Sequence, residues 1–125
     1  RNSPSNPAMN LSNLFKLDDD LRNLAPGEKL LETGSANEAM YVLIEGALDI
    51  QVEGSTVETL QPGGIVGEMS LIEDLPVSAD VVAAAESKVA QVDQKRFQFL
   101  VQNHPFFAQE VMKIMARRLR ASNER

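Results

Sequence analysis

A glycine-rich segment in the middle of the chain carries the residues whose types and spacing suit ligand binding. Gly63 and Gly64 precede a short apolar run, and Gly67 is followed at once by Glu68. Glycine lets the main chain approach a ligand closely. A helix beginning just after Gly67 points its free N–H groups, the positive end of its dipole, toward a neighbouring anion. The segment therefore predicts an anion cradle, with the Glu68 carboxylate beside it as an acceptor for hydroxyl groups.

Each polar residue considered for a site also has an interpretation that involves no ligand. Glu68 can simply cap the short helix, which stabilises it. The hydroxyls of Ser70 and Ser78 can be solvated or bonded locally, and His104, which precedes a proline, is expected at the surface or at a junction. The sequence offers no nucleophile–base pair, and it has no cysteine and one histidine. We therefore expect no enzymatic activity, no metal site and no cofactor.

The segment from residue 67 to residue 81 resembles the phosphate-binding cassette of cyclic-nucleotide-binding domains, the β-roll module of catabolite-activator-type regulators and kinase regulatory subunits. The family pattern is roughly Gly-Glu-apolar-small-Leu, a short gap, and then Pro-Arg-small-Ala-x-Val. The matching residues are Gly67, Glu68, Met69, Ser70 and Leu71, followed by Pro76, Val77, Ser78, Ala79, Asp80 and Val81. One position departs from the pattern, because Val77 stands where the family has its arginine.

The resemblance implies a role for each matching residue. Glu68 is expected to accept a hydrogen bond from the ribose 2′-hydroxyl, and the backbone N–H groups of Met69 and Ser70 to hold the cyclic phosphate. Ser78 can add a hydroxyl donor, and Ala79 is expected to line the pocket wall. The implied function is signal transduction by a regulatory domain that binds cAMP or cGMP.

Val77 is the position that decides how well a cyclic phosphate is bound. An arginine there makes a bidentate contact, and hydrogen bonds to charged groups contribute about 1.5–3 kcal/mol each. Losing such a pair weakens binding by about a hundredfold or more. Between Gly63 and Ser87 there is no Lys or Arg, so the sequence predicts weakened binding of cAMP and cGMP.

Three arginines near the end of the chain are candidates for replacing the missing charge. The family often closes the base side of the pocket with its C-terminal helix, and the arginines that this helix carries here are Arg117, Arg118 and Arg120. The alternative is that all three are solvated charges that favour the negative end of the helix dipole.

Composition limits the other possibilities. The chain has 125 residues, 43% of them hydrophobic, which suits one domain with a single core. A net charge of −6 argues against nucleic-acid binding. No run has the length of a membrane span and no signal-peptide pattern opens the chain, so a cytoplasmic protein is expected. Residues 1–10 are interpreted as a disordered lead or expression remnant, and residues 11–122 as the domain.

The order of predicted elements also matches the family. Residues 10–24 predict one or two short helices. Glycine turns then separate short β-prone runs, which favours an antiparallel β-roll or jelly roll. The predicted strands are residues 28–32, 40–52, 56–60, and a last pair at 78–85 and 88–93.

Two helices are predicted at the C-terminal end. The first covers residues 94–102, is capped by Asp93, and turns Phe97, Leu100 and Val101 inward. Pro105 suits the first turn of the second. The second helix has an apolar seam with a neighbouring apolar row, wide enough to pack on the roll and on a second copy, so a homodimer is expected. The seam is Ala108, Met112, Met115, Leu119 and Ser122, and the neighbouring row is Phe107, Val111 and Ile114.

Three hypotheses remain open from the sequence. The first is a ligand-sensing regulatory domain of the cyclic-nucleotide-binding type. The second is a dimerisation or protein-interaction module that keeps the roll and has lost the ligand. The third is a roll that accepts an uncharged or differently charged ligand, since valine makes one corner of the pocket apolar. The sequence is consistent with a standalone module and with a fragment that lacks an effector domain.

Overall fold

The computed structural model describes residues 10–123, with the side chains of residues 122 and 123 left out. Predictions for residues 1–9, and for the side chain at position 122, therefore lie outside the described part. The elements follow in chain order. They are α1 (Ser12–Phe15), β1 (Arg22–Leu24), β2 (Lys29–Leu31), β3 (Ala39–Glu45), β4 (Leu48–Val52), β5 (Ser55–Leu60), β6 (Ile65–Val66), α2 (Glu68–Glu73), β7 (Asp80–Ala83), β8 (Ser87–Asp93), α3 (Gln94–Asn103) and α4 (Pro105–Asn123).

The strands form two four-stranded antiparallel sheets. One has the order β1-β8-β3-β6 and the other the order β2-β7-β4-β5. The predicted fold, an antiparallel β-roll or jelly roll with short N-terminal helices and two C-terminal helices, is therefore confirmed in its architecture, and α1 is the N-terminal helix within the described residues. The hairpin between β4 and β5 places Val52 opposite Ser55, as its glycine-containing turn predicts.

Alternation along β3 explains how the layers stack. Tyr41 and Leu43 belong to an apolar cluster that also includes residues of the second sheet. Their neighbours Met40 and Val42 belong to another apolar cluster, shared with the helices. Because successive side chains in a strand point to opposite faces, β3 is buried on both sides. One face of β3 thus packs toward the second sheet and the other toward the helices.

The N-terminal region differs from its prediction. Only Ser12–Phe15 is helical, whereas Arg22–Leu24 is a strand paired with β8. The leucine spacing resembles that of a helix, yet the backbone of this short segment hydrogen-bonds to the edge of the first sheet. Leu24 is buried there while Arg22 and Asn23 are exposed.

The predicted pairing of residues 78–85 with residues 88–93 is wrong. β7 pairs with β2 and β4 in the second sheet, and β8 pairs with β1 and β3 in the first. Ser87 supports the crossing between the sheets, because its buried hydroxyl donates to Ala85 O at 2.8 Å and accepts from Ala47 N at 3.2 Å. The bend at residues 84–86 therefore connects two layers and closes no hairpin.

The C-terminal helices largely follow the prediction. The carboxylate of Asp93 accepts the backbone N–H of Arg96 at 2.8 Å, which caps α3. Phe97 and Leu100 pack on the helix-side cluster, but Val101 is 42% exposed, so its predicted inward position is wrong. Val101 directly follows Leu100, and a step of one residue rotates a side chain about 100° around the helix.

Helix α4 has two different apolar rows. Phe107, Val111 and Ile114 are buried against the roll. Met112 and Leu119, in contrast, are 60% and 64% exposed. The wide apolar face of this helix is thus only partly covered by its own chain. Within residues 10–123, no helix combines the length and apolar character that crossing a membrane requires.

Candidate ligand-binding site

A cavity of about 360 Å³ lies between the second sheet, α2 and α4. Its apolar walls come from strand residues of the roll and from the loop after α2. The residues that line it are Leu31, Ile50, Glu58, Val66, Gly67, Glu68, Met69, Ser70, Glu73, Leu75, Pro76, Val77, Ser78, Ala79, Val81, Arg118 and Ala121. Volumes of about 300–1,000 Å³ are usual for small-molecule sites, so the cavity can hold a small organic molecule.

Gly67 forms the turn from β6 into α2. Its φ of +84° lies in the left-handed region, where residues other than glycine are strained. A Cβ at this position meets the carbonyl oxygen of Ala39 at 2.7 Å and Asn37 Nδ2 at 2.9 Å. The turn therefore requires glycine for both its backbone angle and its packing against β3.

Glu68 is the first residue of α2 and is 3% exposed. Its Oε2 lies 2.7 Å from Nη1 of Arg118, which comes from α4, fifty positions further along the chain. Nη2 of the same guanidinium donates to Ile65 O at 2.6 Å. A third contact, 3.6 Å from Arg118 Nε to Glu58 Oε1, is more exposed. Arg118 thus ties α4 to β6 and to the start of α2.

The segment after α2 places Val77 in the wall of the cavity. Val77 is 6% exposed and belongs to the apolar cluster between the sheets. Its backbone is fixed on both sides, since its N–H donates to Ser35 O at 3.0 Å and its carbonyl accepts from Gly34 N at 2.8 Å. The side chain that replaces the expected arginine is therefore held inside the roll.

Asp80 fixes the end of this segment to β2. Its carboxylate accepts the backbone N–H and the hydroxyl of Thr33, at 2.7 and 2.9 Å, and lies 3.4 Å from Lys29 Nζ. These hydrogen bonds, with a smaller contribution from the lysine, hold the pKa of Asp80 below its ordinary value.

The structure brings most of the predicted site residues together around this one cavity. They are Gly67, Glu68, Met69, Ser70, Val77, Ser78, Ala79 and Arg118. Arg117 lines a neighbouring cavity of about 500 Å³, and Arg120 is exposed. Of the three candidate arginines, Arg118 reaches the main cavity, where it already contacts two carboxylates. Among the described residues, no group of three or more metal-ligating side chains is placed to hold a metal ion.

Sequence reasoning missed Glu58, on β5, and the carbonyl oxygen of Ile65, which both contact Arg118. Neither carries a local signal. In the sequence, Glu58 is one polar residue among others in a predicted hairpin strand. The carbonyl of Ile65 cannot be singled out, because any backbone carbonyl can accept a hydrogen bond. Both contacts depend on where α4 crosses the roll, which the spacing of residues within α4 does not specify.

Comparison with known proteins gives a consistent result. The profile of the cyclic nucleotide-binding domain matches residues 21–104. The Pycsar effector protein BcPycTIR of Burkholderia cepacia is 29% identical over 106 residues, which are 84% of this chain and 35% of that protein. The cAMP-dependent protein kinase regulatory subunit of Yarrowia lipolytica is 34% identical over 90 residues, 69% of this chain and 24% of the relative.

Solved structures show the same likeness. The catabolite activator protein of Thermus thermophilus superimposes with a TM-score of 0.73 at 26% identity, over 83% of this chain and 51% of that one. The chain spans only about a third and a quarter of the length of the two curated relatives described above. The similarity therefore concerns one domain of those proteins.

Proposed function

The chain belongs to the cyclic nucleotide-binding domain family, and from that premise we propose that it is a regulatory ligand-sensing domain with weakened affinity for cAMP and cGMP. The observation that carries this proposal is Val77, buried in the cavity wall at the position of the family's phosphate-pairing arginine. We propose that the domain itself catalyses no reaction. The domain limits of residues 11–122 and a cytoplasmic location stay predictions.

Residues of α2 and the following loop are proposed to contact the ligand. Glu68 is proposed to accept a ribose hydroxyl, and the backbone N–H groups of Met69 and Ser70 to face the phosphate. Ser78 and Ala79 are proposed to complete the wall. Their common position around one cavity, beneath the Gly67 turn, supports these roles.

Arg118 does not supply the missing positive charge in this arrangement. Its guanidinium already contacts the carboxylate of Glu68, the carbonyl of Ile65 and the carboxylate of Glu58. Moving it onto a phosphate requires breaking these contacts and leaving Glu68 buried without its cation, which is costly. The weak affinity predicted for an anionic ligand therefore persists when α4 is taken into account.

Titration calorimetry with cAMP and cGMP tests the proposal on the wild-type chain and on Val77→Arg. We expect binding to the variant to be about a hundredfold tighter, because two charge-assisted hydrogen bonds are restored. Val57→Arg is the matched control, since it adds the same charge at an exposed position of β5. Thermal melting of each variant establishes that it is folded.

The outcomes separate the possible explanations. If the wild type binds as tightly as folded Val77→Arg, the valine does not weaken the site. If Val57→Arg gains as much affinity as Val77→Arg, the gain reflects net charge and no local contact. If neither the wild type nor the folded Val77→Arg variant takes up nucleotide at millimolar concentration, the cavity is not a nucleotide site.

A second candidate function is a dimerisation module that retains the roll and binds no nucleotide. The exposed row on α4, which includes Met112 and Leu119, favours it, because apolar side chains at a seven-residue interval suit a helix–helix contact. Sedimentation velocity tests for a homodimer and for its loss in Leu119→Glu. Leu17→Glu is the control, since Leu17 is an exposed leucine outside α4. If Leu119→Glu and Leu17→Glu sediment as the same oligomeric species, α4 does not form the interface.

A further inference from the structure

We infer that the cavity favours an uncharged nucleoside over the corresponding cyclic nucleotide. This inference rests on the proposed function, since it names the class of ligand that the same sensing site takes. Three features of the cavity carry it: the balance of charge around it, the fixed apolar corner at Val77, and the acceptor capacity left on Glu68.

The charge around the cavity is unfavourable for an anion. Three carboxylates line it, those of Glu58, Glu68 and Glu73, against the single guanidinium of Arg118. Among the described residues that line the cavity, Arg118 is the only cation, and it is bonded to Glu68 and lies close to Glu58. A cyclic phosphate entering here meets uncompensated negative charge, whereas a nucleoside carries no charge to be repelled.

The segment that carries Val77 is held too firmly to rearrange around an anion. Its two backbone hydrogen bonds to Gly34 and Ser35 hold the segment in place, and the side chain packs in the cluster with Leu31 and Val81. A charged oxygen placed against the Val77 side chain loses hydration on that side, and valine offers it no hydrogen-bond donor in return. An apolar part of a neutral ligand loses nothing of this kind, and it gains from burial.

The Glu68 carboxylate can still accept a hydrogen bond from a hydroxyl group. Arg118 contacts Oε2 of the carboxylate, and an ionised carboxylate offers about four acceptor sites. A ribose hydroxyl can donate to the remaining sites while the ion pair with Arg118 stays intact. A nucleoside therefore uses the polar group that the cavity provides and does not need the cation that it lacks.

Calorimetric titration of the 125-residue chain with matched pairs tests this inference: adenosine against cAMP, and guanosine against cGMP. We expect each nucleoside to bind at least about tenfold more tightly than its cyclic partner. Adenosine lacking the 2′- or the 3′-hydroxyl is expected to bind more weakly when the missing group is the one donating to Glu68. Higher salt is expected to tighten cyclic-nucleotide binding through screening of the carboxylates, and to change adenosine binding little.

Each result has a definite consequence. Tighter binding of the cyclic partners overturns the inference and leaves the proposed sensing function in place. Failure of all four compounds to bind at millimolar concentration overturns the inference and the proposed function together. Cyclic-nucleotide binding that weakens as salt increases shows net attraction and contradicts the charge argument. Val77→Arg is expected to reverse the preference, so that the cyclic nucleotide binds more tightly than the nucleoside. The salt series needs only wild-type protein, so it tests the inference even if this variant fails to fold.

Discussion

Replacing Arg118 by methionine is predicted to destabilise the domain much more than the same change at its neighbour Arg117. Methionine keeps most of the apolar stem of arginine and removes its charge. The Glu68 side chain is 4% exposed and its Oε2 lies 2.7 Å from the guanidinium, so the variant leaves a buried carboxylate without its cation. The carbonyl of Ile65 also loses its 2.6 Å hydrogen bond from Arg118.

The size of the effect follows from burial. Breaking a buried ion pair by removing one partner costs about 3–5 kcal/mol. The Arg118 side chain is 24% exposed, so water can partly replace it and the expected loss falls to about 2–4 kcal/mol. The contact with Glu58 adds less than about 1 kcal/mol, because it is long and exposed.

Urea unfolding followed by circular dichroism measures the difference, with Arg117→Met as the matched control. Arg117 is exposed on the same helical turn, so Arg117→Met should change the free energy of unfolding by no more than about 0.5 kcal/mol. The double variant Glu68→Gln/Arg118→Met removes both charges, and it should be more stable than Arg118→Met alone. If the free energies of unfolding of Arg118→Met and Arg117→Met agree within about 0.5 kcal/mol, the ion pair does not anchor α4.

Two further predictions concern the segment around the cavity. Gly67→Ala should lower the free energy of unfolding by about 1–3 kcal/mol more than Gly54→Ala, because both glycines have φ of +84° but only at Gly67 does a Cβ meet a backbone oxygen, at 2.7 Å. Equal losses in urea unfolding would show that the backbone angle alone requires glycine. Asp80 has a pKa lowered from 3.8, so its stabilisation is present above that pH and lost as pH falls through the folded-state value. The stability gap between wild type and Asp80→Asn should therefore be constant above about pH 5 and narrow as the pH falls through 3.8 toward the lower folded-state pKa, and a gap that stays constant down to that range would refute this assignment.

The local features of the site could be predicted from the sequence because each depends on a few neighbouring residues. Gly67 forms the turn that its position before Glu68 indicates, and the helix begins directly after it. Asp93 caps α3 and Pro105 begins α4, as their residue types predict. In each case the controlling interaction lies within a turn of helix or one loop.

The features that sequence reasoning missed depend on distant partners. Arg22–Leu24 is a strand because β8 offers it an open edge, and the leucine pattern alone also fits a helix. β8 prefers β1 and β3 over the adjacent β7, which no local pattern encodes. The contact between Glu68 and Arg118 joins residues fifty positions apart. Within α4, residue types do not distinguish Arg118 from Arg117 or Arg120, so only the docking of the helix decides which one reaches the cavity.

The docking of α4 through Arg118 links ligand binding in the cavity to the position of the helix. Arg118 is the residue of α4 that contacts both Glu68 and Ile65, so a ligand that changes the hydrogen bonds of Glu68 also changes what holds the helix. A ligand shifts such an equilibrium only by its difference in affinity for the two positions of the helix. If the contacts of Arg118 with Glu68 and Ile65 contribute about 2–4 kcal/mol, a ligand that fully replaces them can change the ratio of docked to released helix by about 30-fold to several hundredfold. A ligand that leaves the ion pair intact, as inferred for a nucleoside, should instead keep α4 docked. The two ligand classes therefore predict different amide hydrogen exchange at the end of this helix: faster exchange with a ligand that replaces the contacts of Arg118, and unchanged exchange with a nucleoside.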